Sequence, residues 1–280
     1  MLDAPVVYPL TPGDLAEAWE LLARDPVSDV FVGSRVHQSK LVARRLGGEL
    51  WGYRERGQLV SLCYSGANLV PVTATPPAIR TFADLAGQRR RTCSSIVGPA
   101  TAVLGMWDLL QPMWGPAREV RAHQPVLAID GPPEIRPDPA VRRVRPNEID
   151  RLLPAAIAMF TEEVGVSPIG TDHGAQYRAR VAELIRSGRA FARFEDGEVV
   201  FKADIGAATP LACQIQGVWV RPDRRGNGLA GPGMAAVVEH ARRDVAPIVS
   251  LYVNDYNVAA RAAYRRVGFR EVDTFATVLF

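Results

Sequence analysis

Hydrophobic positions fall into two spacings that alternate along the whole chain. Runs with every second residue apolar predict strands, and runs with apolar residues three and four apart predict helices. A strand is predicted over 6–10. Thr11-Pro12-Gly13-Asp14 then reads as a turn and helix start, because Thr or Asp caps and Pro suits a first turn. Leu15, Ala18, Trp19 and Leu22 continue at helical spacing. A second helix is predicted over 34–46, strands over 50–54, 59–64 and 68–72, and a helix over 77–87 with Ala78, Phe82 and Leu85 on one face. A buried strand over 93–97, a helix over 100–110 and a closing strand over 125–129 complete this half.

Gly131-Pro132-Pro133-Glu134-Ile135-Arg136-Pro137-Asp138-Pro139 interrupts both spacings, since so many prolines forbid helix and ladder alike. The pattern then restarts. A strand over 141–145 leads to a helix opened by Pro146-Asn147-Glu148, with Ile149, Leu152, Leu153, Ala156, Ile157 and Phe160 on its apolar face. A helix over 175–187 follows. A hairpin over 190–205 turns at Asp196-Gly197, a good tight-turn pair. Then come a strand over 211–220, a helix over 234–243, a strand over 249–253, a helix over 258–267, and two short strands over 269–272 and 275–279. The two halves share one element order, and their openings match, Leu10-Thr11-Pro12-Gly13-Asp14-Leu15 beside Val144-Arg145-Pro146-Asn147-Glu148-Ile149. The expectation is an internal duplication: an α+β chain of two tandem domains, each a mixed sheet flanked by helices, with boundaries at 1–130, a stiff linker 131–139, and 140–280.

Composition changes this picture little. The chain has 280 residues, 48% hydrophobic and 22% charged, enough for two modest cores. A formal net charge of +3 argues against a nucleic-acid binder. Of 33 basic residues only Lys40 and Lys202 are lysines, which reads as the codon bias of a GC-rich genome. Cys63, Cys93 and Cys213 are widely spaced among small or apolar neighbours and read as buried, reduced thiols, with no zinc-like spacing and no metal expected. The N-terminus lacks a signal-peptide pattern and no apolar run reaches a membrane span, so a cytoplasmic location is expected.

The chemistry concentrates in Val218-Trp219-Val220-Arg221-Pro222-Asp223-Arg224-Arg225-Gly226-Asn227-Gly228-Leu229-Ala230. A strand stops at Pro222, two arginines and two spaced glycines follow, and a helix begins. Glycines admit a close backbone approach, and the free N–H groups of a helix start attract an anion, so this junction reads as a pyrophosphate cradle. A Walker loop requires Lys-Ser/Thr where Leu229-Ala230 stands. Gly226, Gly228 and Gly231 satisfy the dinucleotide spacing, with Asp255 downstream, but four residues separate them from the strand and the loop comes too late in the chain.

Arg225-Gly226-Asn227-Gly228-Leu229-Ala230 resembles R-x-x-G-x-A, the acetyl-coenzyme A signature of the GNAT superfamily of N-acetyltransferases. A second block, Asn257, Ala260-Arg261, Tyr264 and Gly268-Phe269, resembles the N-x-x-A-x-x-x-Y-x-x-x-G-F motif of the same family. The resemblance is firm over 141–280 and rests on element order alone in the first half, which lacks a glycine loop where Thr73-Ala74-Thr75-Pro76 stands. It implies a tandem arrangement with a degenerate, non-catalytic first domain that shapes the acceptor groove or makes a homodimer contact.

The resemblance also implies roles. Val218, Trp219, Val220, Arg225, Gly226, Asn227, Gly228, Leu229, Ala230, Asn254 and Asn257 would hold acetyl-coenzyme A between splayed strands, with the N–H near Val218 as oxyanion donor and Gly217 marking a bulge. Alternation points Trp219 away from Val218 and Val220, toward a core. Tyr264 would be the general acid. The strand carries Gln214 and Gln216 where many members have a glutamate, so Glu163 and Glu162, and more weakly Asp204 and His173, are candidates for base or acceptor binding. The implied reaction is acetyl transfer to a primary amine on a small molecule, peptide or protein. The alternative is an acyl-coenzyme A sensor without turnover.

Overall fold

The computed structural model describes residues 6–280; the first five residues, part of the stretch read for a signal pattern, lie outside it. Two compact units emerge, and neither is contiguous in sequence. The first takes Met1–Leu127, Tyr252–Tyr256 and Glu271–Phe280; the second takes Ala128–Leu251 and Asn257–Arg270. The contiguous 140–280 division therefore meets a structure in which the last strand sits with the first half.

The first unit runs β1 (Val6–Pro9), α1 (Leu15–Leu22), α2 (Val30–Ser39), α3 (Ala43–Leu46), β2 (Gly48–Glu55), β3 (Gln58–Gly66), β4 (Asn68–Val72), α4 (Pro76–Gly87), β5 (Ser95–Pro99), α5 (Ala100–Trp114) and β6 (Glu119–Ile129), whose end passes into the second unit. The second runs β7 (Arg142–Arg143), α6 (Ile149–Val164), α7 (Ala175–Arg186), β8 (Ala190–Glu195), β9 (Glu198–Ala208), β10 (Ala212–Val220), α8 (Ala230–Asp244), β11 (Ile248–Tyr252) and α9 (Val258–Val267); β12 (Arg270–Leu279) ends the chain. In the first unit β1 to β4 are antiparallel neighbours, β4 pairs in parallel with β5, and β12 pairs antiparallel with β5. In the second unit β7 to β10 are antiparallel and β10 pairs in parallel with β11. Four antiparallel strands followed by a parallel one, in both halves, is the duplication at the level of the ladder.

The matched openings fold alike. Pro12 and Pro146 each begin a 3-10 turn, where a missing N–H costs nothing. The acid three residues past each cap folds back, Asp14 Oδ2 accepting from Thr11 N at 2.9 Å and Glu148 Oε2 from Arg145 N at 2.8 Å.

Several expected boundaries are corrected. The helix expected over 34–46 is two helices, broken where Lys40 and Leu41 take left-handed φ of 53° and 58°. The strand expected over 141–145 is two residues long, Arg142–Arg143, with Val144 N donating to Ala190 O at 2.9 Å beyond it. The two short closing strands are one ten-residue strand, because nothing between Val272 and Phe275 breaks the extended backbone. The proline-rich stretch has no helix or strand. It packs along the second unit: Asp138 N donates to Pro232 O at 3.0 Å and the Asp138 carboxylate holds Arg193 at 2.8 Å.

Each unit has its own core. Trp51, Tyr53, Phe82, Met106 and Ala276 lie in one cluster of the first unit, and Leu152, Val181, Ala192 and Trp219 in one of the second. All three cysteines are buried and free of disulfides. Among the described residues no helix is long and apolar enough to cross a membrane.

Candidate active site

The sheet of the second unit opens along β10. It pairs with β11 only at Ala212, Cys213 and Gln214, opposite Ile248, Val249 and Ser250. From Ile215 on, among the described residues, β10 has no parallel partner, so one edge of its backbone is left without a strand alongside. On the other edge the register with β9 jumps between Gln216 and Trp219, leaving Gly217 and Val218 as a bulge. Gly217 permits it with φ +59°. A Cβ at 217 would lie 2.9 Å from Met159 Cε and 3.1 Å from Lys202 Nζ, so a side chain there would displace the tips of both.

Beyond Val220 the chain makes a 3-10 turn at Pro222–Arg224 and enters α8 through Arg225 to Leu229. Gly226 and Gly228 have φ of +80° and +76°, and a Cβ built on either meets nothing within 4 Å. The loop is bare and both glycines are exposed. No side chain caps α8. Pro232 removes one donor from its first turn, while Gly233 N already reaches Leu229 O at 3.0 Å. The N–H groups of Ala230 and Gly231 have no intrahelical acceptor by position, and the helix dipole adds to them.

The arginines of the loop are less free than the sequence suggests. Arg221 clasps Asp223 at 2.7 and 3.0 Å, and Arg224 pairs with Glu195 at 2.7 Å. Arg225 donates to Val220 O at 3.0 Å and to Glu162 Oε2 at 2.6 Å. The other Glu162 oxygen accepts from Trp219 Nε1 at 3.1 Å. Glu162 thus ties the buried Trp219 indole to the cradle arginine with both oxygens engaged. Asn227 Nδ2 braces the loop on Arg224 O at 3.3 Å.

Tyr264 sits on α9, 6% exposed, its ring edge-on to Phe269 at 6.1 Å. Burial, and then the charge of Glu163, push its phenol well above the ordinary value. Glu163, exposed at the end of α6, also acts on Tyr177, whose phenol is pushed up to about 12 by burial first and then by Asp204 and Glu163. The Tyr177 hydroxyl donates to Ala156 O at 2.8 Å. Asn257 caps α9, its Oδ1 accepting from Ala260 N at 3.2 Å. Asn254 belongs by its contacts to the first unit, where it accepts from Gln124 Nε2 and donates to Tyr256, both at 2.8 Å. Gln214 is buried, and the Gln216 amide lies over Gly206, where a Cβ would come within 2.0 Å of it. Neither brings a carboxylate.

The sequence reading overlooked Lys202. It is fully buried on β9, its Nζ donating to Asp204 Oδ2 at 2.6 Å and to Gly217 O at 2.9 Å. The available signal was a lysine in an arginine-rich chain, two residues from an aspartate and so on the same strand face.

Residues 157–269 match the model of the acetyltransferase (GNAT) family, and residues 48–152 match a domain of unknown function (DUF4081). No curated protein matches the chain in sequence. Among solved structures it resembles a GNAT-family acetyltransferase from Colwellia psychrerythraea, with TM-score 0.55 and 13% identity over 98% of this chain and 99% of that one. It also resembles a tandem GNAT protein from the clavulanic acid biosynthesis pathway, with TM-score 0.55 and 16% identity over 99% and 98%. A GCN5-related N-acetyltransferase from Sphaerobacter thermophilus gives TM-score 0.59 and 18% identity over 98% and 95%. At these identities the likeness establishes the fold, and the matched family model places a GNAT-family domain at residues 157–269 of the chain.

Proposed function

We propose that the second unit moves an acetyl group from acetyl-coenzyme A to a primary amine. The observation that carries this reading is the bare loop: two left-handed glycines with open space where side chains would stand, directly before an uncapped helix start. Main-chain donors from Gly226 to Gly231 suit a diphosphate, and a Cβ at either loop glycine would fill the space an anion needs. Arg225, neutralised and held by Glu162, keeps a guanidinium donor at the rim. Bound there, acetyl-coenzyme A supplies an activated acyl carbon.

The chain's own residues then have distinct tasks. The opening between β10 and β11 leaves strand backbone to hold an extended arm. The Val218 N–H polarises the acyl carbonyl. Glu163 draws in the protonated amine and takes up its proton. The nitrogen forms its bond to the acyl carbon as the carbon–sulfur bond breaks, Tyr264 gives its phenolic proton to the departing sulfur, and the surplus proton on the acylated nitrogen passes by way of solvent to the phenolate left behind. Burial keeps that phenol protonated through the working pH range, as an acid requires. Glu162, with both oxygens engaged, serves by holding Arg225 and Trp219. Asn257 sets the start of the helix that carries Tyr264. The acceptor is a small molecule or a peptide or protein amine, cationic if Glu163 receives it.

Tyr264→Phe tests the assignment. Thiol release from acetyl-coenzyme A, with water or an amine panel as acceptor, is expected to fall about 10²- to 10⁴-fold with coenzyme A affinity retained. Full activity of the variant at every pH refutes the role of Tyr264. A second reading, an acyl-coenzyme A sensor, is favoured by one observation: β10 offers Gln214 and Gln216 and no carboxylate. It expects binding without turnover across the same panel.

A further inference from the structure

Lys202 stands out among the residues with no part in the reaction as written. An arginine-rich chain of 33 basic residues has only two lysines, and this one lies in its core. A buried ammonium is costly unless it is paired and hydrogen-bonded, and a compact ammonium reaches sites that a planar guanidinium does not fit. Lys202 has two partners. Asp204 Oδ2 at 2.6 Å neutralises it, and the second is the main-chain oxygen of Gly217, the bulge residue, at 2.9 Å. Burial raises the Asp204 carboxyl above its ordinary value, and Lys202 beside it pulls it only partly back.

The second contact has a geometric consequence. The Gly217 carbonyl and the Val218 N–H belong to one planar peptide unit, and no peptide bond among the described residues is cis. In a trans unit the C=O and N–H point in opposite directions. An ammonium that fixes where the carbonyl points therefore fixes where the N–H points: away from Lys202. Neither residue of the bulge has a register partner on β9 to do this instead. A charge-assisted bond to the carbonyl also draws electrons through the amide and strengthens its N–H as a donor.

We infer that Lys202 is a positioning residue for acetyl transfer: by anchoring the Gly217 carbonyl, with Asp204 as its counter-ion, it aims and polarises the Val218 N–H for the thioester carbonyl. This rests on the reading of the cradle and of Val218 given above. The groups around it fit the role. Met159 Cε closes over Gly217, and Asp204 feels the opposite charge of Arg180 as well as that of Lys202.

The test removes the anchor without stranding a buried charge. Lys202→Met combined with Asp204→Asn leaves a neutral pair, and Lys202→Met alone shows the cost of an unpaired carboxylate by thermal melting. The readout is the carbonyl stretch of ¹³C-labelled acetyl-coenzyme A by isotope-edited difference infrared spectroscopy, beside coenzyme A affinity by calorimetry and thiol release. The native protein is expected to shift the bound carbonyl to lower frequency. The double variant is expected to bind coenzyme A within a few-fold of native, to lose most of that shift, and to release thiol about 10- to 100-fold more slowly. A folded double variant that keeps both the shift and the rate overturns the inference and leaves the site reading standing. Native protein that binds no acetyl-coenzyme A overturns the site reading itself, and the inference with it. Native protein that binds without any shift overturns the role of Val218, and Lys202 loses its purpose.

Discussion

Gly226 and Gly228 can be separated from ordinary turn glycines by matched substitution. Their φ values are +80° and +76°, and an added Cβ meets nothing within 4 Å. Gly57 and Gly197, each at a hairpin turn, have φ of +79° and +85° and the same open surroundings. Alanine at any of the four costs left-handed strain of about 1–2 kcal/mol, partly offset by a less disordered unfolded chain, for a net loss near 1 kcal/mol. With no clash to add, the four variants are expected to melt within a degree or two of one another. Their coenzyme A affinities are expected to diverge. A methyl or a turned peptide in the loop removes a main-chain donor to a doubly charged group, worth about 1.5–3 kcal/mol, or about 10- to 150-fold in Kd. Calorimetry is expected to show that loss for Gly226→Ala and Gly228→Ala and native affinity for Gly57→Ala and Gly197→Ala. Equal affinity across all four refutes the loop as the anion's seat. So does unchanged binding by the double variant Gly226→Glu with Gly228→Glu.

Two carboxylates make opposite predictions for stability against pH. Asp29 is 3% exposed, and burial, with Asp25 and Asp273 adding repulsion, raises its pKa from 3.8 to about 8. Its favourable contribution is therefore full below 3.8 and lost as pH rises toward 8, so Asp29→Asn is expected to stabilise by up to about 4 kcal/mol at neutral pH and by almost nothing at pH 3.5, checked by urea melts. Glu148 runs the other way: Arg142 grips it at 2.7 and 2.8 Å and lowers its pKa from 4.5 to about 2, so its contribution is full above 4.5 and lost as pH falls toward 2. Glu148→Gln is expected to cost about 2 kcal/mol at pH 7, allowing for the solvent-screened guanidinium, with the gap to native closing in acid. A pH-independent difference in either variant refutes its mechanism.

What the sequence disclosed follows the range of the forces involved. The helix starts at Thr11-Pro12 and at Pro146, the Asp196-Gly197 turn and the glycine loop are local chemistry, settled within four or five residues, and were legible. The break at Lys40 was not, because left-handed φ at two successive side-chain-bearing residues is imposed by packing and leaves no glycine as a marker. The partner of β12 was hidden for a different reason. Its run of apolar residues says only that the strand is buried, and Phe275 and Val278 read the same whichever strand lies alongside, whereas the structure sets them opposite Pro99 and Ile96. At the site, the arginines looked free because Glu162 and Glu195, their neutralising partners, lie 63 and about 30 residues away. Lys202 was missed because its importance comes from a main-chain oxygen fifteen residues on, which no side-chain motif encodes.

The duplicated ladder raises a last question: whether the first unit also binds coenzyme A. Its parallel strands part as early as those of the second, with β4 meeting β5 only at Asn68–Ser95 and Leu69–Ile96. The backbone opening alone is therefore not what makes a site. The difference lies in donors. Where the second unit has glycines, the first has Thr73, left-handed at φ +45° and carrying a side chain. Where the second unit leaves its helix start uncapped, Thr75 Oγ1 accepts from Ala78 N at 3.4 Å, and the Thr75 N–H is itself spent on Ser61 Oγ at 3.1 Å. Pro76 and Pro77 have no N–H to give. An anion placed there would find its donors used or missing, and no loop arginine to offset the loss. Calorimetric titration is therefore expected to saturate at one coenzyme A per chain, and that single event is expected to disappear in the double glutamate variant. Two equivalents per chain, or one that survives the variant, would place binding in the first unit and show that a diphosphate can be held without the glycine loop.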